Sequence, residues 1–419
     1  MSHYQTVLTW IVAIITVGFV LVRPFRLSEA VWAVVGAVLL VLMGILSLRQ
    51  ALTAAGKGLD VYLFLTGMML ISELARREGV FDWLAGHAVA ASKSSPRRLF
   101  ALVYFVGIGV TVLLSNDATA VVLTPAVQSA VKAAQAEPLP YLLICAFIAN
   151  AASFVLPISN PANLVVFGRD MPPLERWLFT FTLPSLVSIG ATYVLLRVLA
   201  RKLLAGRITA PPRHVALSRS GIIALAGVGF LAVVLIVASG MGQPLGAPAC
   251  VAAFLVLAVI MSRDRRAPRE ALLKIPWSIL PLVAGLFVLV EGMNRAGALP
   301  AAVHVLNRVR ESPPVAAALT SAFAVALISN IMNNLPSGLI AGTAVHAAHI
   351  QGIVGAAVLI GIDLGPNLSV TGSLATILWL IAIRREGQGI GFLQFLKWGA
   401  VIMPPTLALA VLALLMKIW

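Results

Sequence analysis

Long apolar runs follow one another along this chain, separated by short polar stretches. A helix needs about 20 apolar residues to cross a ~30 Å hydrocarbon core. By that measure the first half holds crossings near Val7–Val22, Ala30–Leu48, Val61–Ala75, Tyr141–Phe167 and Trp177–Leu199. The run Leu99–Val131 is equally apolar, but the cluster Ser115-Asn116-Asp117-Ala118-Thr119 interrupts its middle. Such a cluster suits the tip of a re-entrant hairpin, because irregular backbone at that depth has to be covered by protein or face a watery cavity. Half one then crosses an odd number of times, so the second half lies inverted relative to it. The pattern predicts an all-α polytopic membrane protein of about ten transmembrane helices, two re-entrant hairpins and two broken helices. Drawing each hairpin as two full spans gives a competing count of about twelve.

The inversion rests on an internal repeat. GMMLISELARREGVF from Gly67 aligns with GLFVLVEGMNRAGAL from Gly285, which places Glu73 on Glu291, Arg77 on Arg295 and Gly79 on Gly297. LLSND ending at Asp117 lies opposite LISNIMNN ending at Asn334, and the run from Asn150 lies opposite the run from Asp363. The chain therefore divides into a first membrane repeat, 1–206, a cytoplasmic linker, 207–219, and a second, inverted repeat, 220–419. Hairpin tips fall near 115–120 and 329–338, and broken helices near 156–163 and 363–373. Duplicated halves of this kind are characteristic of secondary transporters.

Composition agrees with the pattern. The 419 residues are 60% hydrophobic and 11% charged, against about 45–50% apolar and about 25% charged in soluble domains. A formal charge of +15 would suggest nucleic-acid binding in a soluble protein, but here the basic residues sit in short loops and set orientation. With the 207–219 loop cytoplasmic, only Arg49, Lys57, Arg169, Arg176, Arg295, Arg308, Arg310 and Lys417 of the 30 basic residues lie outside. Both termini then lie outside as well. Val7–Val22 has no basic segment before it and no A-x-A site after it, so it is expected to be a retained span. The two cysteines, Cys145 and Cys250, lie inside apolar runs and suggest neither a disulfide framework nor a zinc site.

Four acidic residues, Glu73, Asp117, Glu291 and Asp363, fall within or at the edge of apolar runs, where an ionised acid costs about 2.5–3.5 kcal/mol at the bilayer centre. Glu73 and Glu291 each have an arginine four residues on, Arg77 and Arg295, the spacing of a helical ion pair that anchors at the interface. Asp117 has no such neighbour. It either titrates, as a proton-coupling group, or is held by helix N-terminal amides. The matching tip in half two carries amides and no acid, which favours one titrating group over two equivalent cation sites. Leu156-Pro157-Ile158-Ser159-Asn160-Pro161 and Asp363-Leu364-Gly365-Pro366-Asn367 break their spans with proline, and their polar side chains can meet the freed backbone or a ligand. Asp363 is a second proton-coupling candidate. Cys145 offers a thiol to a soft metalloid, though buried packing is the commoner use of such a residue. His346 and His349 lack a third partner for a metal. No nucleotide, cofactor or hydrolase motif is visible, so neither an enzyme nor a cofactor is expected.

SNDATAVVLTP (Ser115 to Pro125), IANAASFVLPISNPANLVVF (Ile148 to Phe167), SNIMNNLPSG (Ser329 to Gly338) and DLGPNLSVTGSLATILW (Asp363 to Trp379) closely resemble the ArsB family of bacterial arsenite efflux permeases. The likeness covers about Val61 to Trp419. It implies a multi-pass protein of the bacterial inner membrane that exports arsenite and antimonite, driven by proton antiport or by a soluble ATPase, ArsA. Members of the wider ion transporter superfamily often dimerise. Arsenite near neutral pH is an uncharged trihydroxide, matched by convergent amides and hydroxyls. Asn116, Thr119, Asn150, Ser159, Asn160, Asn163, Asn333, Asn334, Thr371, Ser373 and Thr376 are the substrate-binding candidates of that type. A sodium-coupled anion carrier, a sodium/proton antiporter and a passive channel are the competing readings.

Overall fold

The computed structural model describes residues 2–168, 171–205, 208, 216–262, 264, 267–350, 352–385, 387 and 389–416. Most of the 207–219 linker, and the basic positions Arg169, Arg207, Arg213, Arg263, Arg265, Arg266 and Lys417 used in the charge count, lie outside the described residues. All regular elements among the described residues are helical. The first half runs through α1 (His3–Val22), α2 (Glu29–Leu42), α3 (Leu48–Gly56), α4 (Leu59–Arg77), α5 (Val80–Ala91), α6 (Pro96–Leu113), α7 (Asn116–Ala118), α8 (Thr124–Ala133), α9 (Leu139–Ala151), α10 (Pro161–Phe167) and α11 (Leu174–Leu199). The second half comprises α12 (Arg219–Gly240), α13 (Gly246–Met261), α14 (Ala267–Lys274), α15 (Ile279–Arg295), α16 (Ala298–Arg310), α17 (Pro314–Met332), α18 (Asn334–Ala347), α19 (Ile353–Leu364), α20 (Leu374–Arg385) and α21 (Phe392–Leu415).

Among the described residues six helices, α1, α6, α11, α12, α17 and α21, are long and apolar enough to cross a membrane. The count reaches 8 if the bent pairs α3–α4 and α15–α16 are each one span. Shorter apolar helices, including α2, α9, α13 and α19, carry the rest of the apolar sequence. Local chemistry sets many of the boundaries. Ser2 with Gln5 and Ser47 with Gln50 form reciprocal capping boxes that start α1 and α3. Gly79 and Gly297 take left-handed conformations, φ 75° and 99°, at the joints α4–α5 and α15–α16, where a residue with a Cβ would be strained.

The two aligned helices, α4 and α15, run antiparallel. Lys57, just ahead of α4, donates to Glu291 near the end of α15 at 2.9 Å, while Arg77 at the end of α4 reaches Asp264 and Glu270, which precede α15. The ion pairs depart from expectation at one point. Glu291 pairs with Arg295 at 3.1 Å as the spacing suggests, but Glu73 takes Arg76, three residues on, at 2.5 Å. Arg77 is drawn away by the neighbouring Glu78 and by Asp264 and Glu270 across the helix interface, because three carboxylates together outweigh one on its own helix.

Helices flanking the interruptions of one half pack on those of the other. α10 packs along α18, and α20 packs on α7 and the turn that follows it. Glycines allow these close approaches: a Cβ on Gly342 of α18 would lie 2.3 Å from the Val166 carbonyl oxygen of α10, and one on Gly361 of α19 would lie 2.3 Å from the Ala322 carbonyl oxygen of α17. Small residues that let backbones approach are the usual means of joining helices in lipid. Gly342→Ala and Gly361→Ala are therefore expected to cost about 1–3 kcal/mol each through overpacking, seen as a lowered unfolding midpoint in detergent. Gly109→Ala, whose Cβ would meet nothing within 4 Å, should leave the midpoint unchanged; an equal fall in all three would contradict the packing assignment.

Candidate functional site

Helix α6 ends at Leu113, and the chain turns through Leu114 and Ser115 into α7. Ser115 Oγ accepts from the Ala118 amide at 3.1 Å, so the turn is capped by its own side chain. The matching break in half two is at Asn333, where a residue with positive φ (78°) separates α17 from α18 and its Oδ1 accepts from the Leu335 amide at 3.3 Å. Between α9 and α10 the chain is unwound from Ala152 to Asn160 around a 3-10 turn at Pro157–Ser159. Between α19 and α20 a similar turn, Gly365–Asn367, precedes an irregular stretch of turns that runs to Ser373.

Side chains satisfy the backbone freed at these breaks. Asn163 Nδ2 donates to the carbonyls of Ser153, Leu156 and Pro157 at 3.0, 3.4 and 3.3 Å. Trp177 Nε1 reaches the Phe154 carbonyl at 3.1 Å. Ser159 Oγ donates to the Val112 carbonyl of α6 at 3.1 Å. In half two, Asn330 donates to the Gly365 carbonyl at 2.9 Å and accepts from Ser369 at 2.6 Å, while Thr371 donates to the Asn330 carbonyl at 2.9 Å. One buried network joins the halves. Asn150 Nδ2 donates to Asn367 Oδ1 at 3.0 Å and Thr376 Oγ1 at 3.3 Å, Ser373 Oγ donates to Asn150 Oδ1 at 3.4 Å, and Asn367 Nδ2 donates to the Phe147 carbonyl at 3.0 Å.

Two adjoining spaces lie inside this frame. The larger, a cavity of about 360 Å³, has Ser72, Glu73, Arg76 and Lys274 among its polar walls, and Ser115, Asp117 and Pro161 also line it. Arg76 and Lys274 are solvent-accessible, which identifies that end as the mouth. The smaller space, about 10 Å³, is lined by Asn116, Asp117, Asn160, Asn334 and Ser373, with contributions from both tips and both broken spans. Leu65, Asp117, Pro161 and Ile279 line both spaces. The described lining of the smaller space contains no lysine or arginine.

Asp117 is thus the carboxyl common to both spaces, and no described residue hydrogen-bonds to it. Asn116 is 2% exposed and its Oδ1 has no partner among the described residues. Asn160 is committed at both ends: Oδ1 caps the Ala162 amide at 2.9 Å and Nδ2 donates to Asp363 Oδ1 at 2.7 Å. Asp363 is fully buried behind it, with Oδ2 unpaired among the described residues. Other expected site residues lie elsewhere. Thr119 pairs with Thr111 at 2.8 Å inside the first hairpin, and Asn163, Ser159 and Thr371 are engaged with backbone as described. Asn150 and Thr376 belong to the buried network, and Asn333 borders a different small space with Glu29 and Met332. Cys145 is fully buried and donates toward the Tyr141 carbonyl at 3.6 Å, away from both central spaces. Sequence reasoning did not single out Asn330 and Asn367 as contributors, although they sit within the quoted motifs. It also treated Glu73 only as an anchor, whereas it lines the cavity.

A model of the family described as citrate transporter matches residues 10–362. Among relatives, an arsenical pump membrane protein of Escherichia coli is 28% identical over 97% of both chains. One from Yersinia enterocolitica is 27% identical over 84% of this chain and 85% of its own. A putative arsenical pump membrane protein of Bacillus subtilis is 25% identical over 94% of this chain and 95% of its own. These likenesses bear out the resemblance read from the four motifs. Two solved structures share the fold. The YdaH transporter of Alcanivorax borkumensis has a TM-score of 0.56 at 16% identity, covering 88% of this chain and 87% of that one. MtrF of Neisseria gonorrhoeae scores 0.51 at 14% identity, covering 91% and 83%.

The network makes a coupling prediction. Removing one member leaves buried partners unpaired at about 1–3 kcal/mol, so Asn150→Ala and Asn367→Ala should each lower the unfolding midpoint of the purified protein. Because the two share a hydrogen bond, the double variant should fall well short of the sum; strict additivity would show that they act separately.

Proposed function

The chain belongs to the citrate transporter family, CitMHS, and on that premise we propose that it is a secondary active exporter of trivalent inorganic arsenicals. Arsenite and antimonite leave the cytoplasm as neutral trihydroxides, in exchange for protons, across the bacterial inner membrane. The observation that carries this reading is the placement of Asp117, a carboxyl that forms no ion pair among the described residues and is shared by the open cavity and by the small space where Asn116, Asn160, Asn334 and Ser373 meet.

The chemistry of the smaller space favours a neutral solute rich in donors and acceptors. A polyanion such as citrate would need compensating positive charge, and the described lining there has amides, a hydroxyl and one carboxyl. The names of the arsenical pump relatives point to the same cargo. Two oppositely oriented repeats supply the alternating access, with residues 1–206 and 220–419 as the two units. The antiparallel course of α4 and α15, and the tip and broken span that each half contributes, support that arrangement.

In the inward-facing state the trihydroxide enters past Glu73 and Arg76, whose side of the protein is cytoplasmic on the charge asymmetry. It descends to Asp117, where the smaller space widens to receive it as the hairpins move. Deprotonated Asp117 accepts a hydrogen bond from a substrate hydroxyl. After the site has changed exposure, a proton from the outside takes the place of that hydrogen bond, releases the solute and returns with the carrier. Asp363 acts behind this site by holding Asn160, and serves as a second proton-coupling group.

The test is pH-gradient-driven uptake of arsenite into everted membrane vesicles. Asp117→Asn should abolish the gradient-driven component while the protein remains monodisperse, and replacing sodium by choline should leave wild-type uptake unchanged. Gradient-driven uptake at the wild-type rate by Asp117→Asn would overturn the coupling assignment, and strict sodium dependence would favour a sodium-coupled carrier.

A further inference from the structure

Far from the transport path, at the end of α15, lies a separate cavity of about 170 Å³ lined by Arg49, Gln50, Thr53, Ala54, Lys57, Glu291 and Arg295. It shares no lining residue with the two central spaces. Three of its residues are basic and one is acidic. Glu291 serves both Lys57, at 2.9 Å, and Arg295, at 3.1 Å, so one carboxylate is divided between two cations. Arg49 forms no ion pair with the described residues. The concavity therefore carries an excess of two positive charges, directed at a space large enough for a phosphate group.

The helix that presents these groups has the character of an interfacial element. α3 is nine residues long and bends by 50° from α4. Ala51 and Ala54 are buried, on a helix that packs against α2 and α15, and Tyr62 Oη donates to the Ala55 carbonyl at 2.8 Å, pinning the end of the helix. Leu48 and Leu52, one turn apart, are 64% and 65% exposed, and Arg49 and Thr53 occupy the adjoining stripe. A fixed short helix that shows a leucine pair beside an arginine and a threonine matches the cross-section of a phospholipid, with acyl chain on one side and headgroup on the other.

We propose that Arg49, Lys57 and Arg295 form a binding site for the phosphate of an acidic phospholipid headgroup, with Leu48 and Leu52 covering its acyl chains. The phosphodiester anion completes the charge balance that Glu291 alone leaves unmet, and Arg49 is its dedicated ligand. Free inorganic phosphate has the same anionic chemistry, but it gains nothing from the exposed leucines.

Native mass spectrometry of the full chain in non-denaturing detergent, titrated with phosphatidylglycerol or with phosphatidylcholine of identical acyl chains, reads occupancy directly. Phosphatidylglycerol should bind more tightly. Arg49→Gln should weaken it about five-fold, the worth of roughly one basic residue at an anionic surface, and Arg49→Lys should restore most of the loss. The sign at Glu291 separates a ligand site from a purely structural ion pair: Glu291→Gln should tighten lipid binding, since it frees Lys57 and Arg295 for the phosphate. Arg49 is exposed and unpaired among the described residues, so Arg49→Gln is expected to fold normally, with the unfolding midpoint as the check. Equal binding of the two lipids, an unchanged phosphatidylglycerol affinity in Arg49→Gln, or weaker binding in Glu291→Gln would overturn the site. Displacement of the lipid by millimolar inorganic phosphate at matched ionic strength would overturn the lipid as its occupant.

Discussion

Inside hydrocarbon there is no water to hydrogen-bond an unwound peptide, and each backbone group left without a partner costs several kcal/mol. This chain nevertheless interrupts its helices between Ala152 and Asn160, and again after Leu364. The structure meets the cost by recruiting Asn163, Trp177 and Asn330 to the exposed carbonyls. It then locks the two repaired segments to each other through Asn150 and Asn367. With that scaffold in place, Asn116, Asp117, Asn160, Asn334 and Ser373 line the space between the halves, and Asn116 Oδ1 has no partner among the described residues.

Charge is distributed to match. Cations stand at the cavity mouth, as Arg76 and Lys274, and at the far cavity, as Arg49, Lys57 and Arg295. The described lining of the smaller central space holds a carboxyl and no cation. Asp117 is the one carboxyl in the described lining of that space, and it also lines the open cavity. The cationic rims are compatible with water and headgroups and leave the central chemistry undisturbed.

Much of the architecture was legible in the sequence because membrane solvation leaves strong signals. A Ser-Asn-Asp cluster in an apolar run, and prolines in the middle of a span, have few structural meanings, and the helix breaks at Ser115 and Asn333 fall where those signals lie. The division of labour among the amides was not legible. Asn160 and Asn163 sit three residues apart on one motif, yet Asn160 borders the central space and Asn163 is consumed by three carbonyls. Thr119 is two residues from Asp117 but turns to Thr111 across the hairpin. Composition reports that polar groups are needed at a break, and only the fold decides which of them meet backbone and which face the cavity. The Glu73 pairing illustrates the same point for charges: positions three and four residues on are both within reach on a helix, and the choice was made by Asp264 and Glu270, far away in sequence.

The central claim is that cargo rests where the two tips and the two broken spans converge. Anomalous diffraction at the arsenic absorption edge from crystals grown with arsenite locates the cargo atom without reference to any kinetic model. A single arsenic peak within hydrogen-bonding reach of Asp117 and the amides of Asn116, Asn160 and Asn334 is the result expected. A peak at the Cys145 thiol, or confined to the cavity mouth beside Glu73 and Arg76, would contradict it.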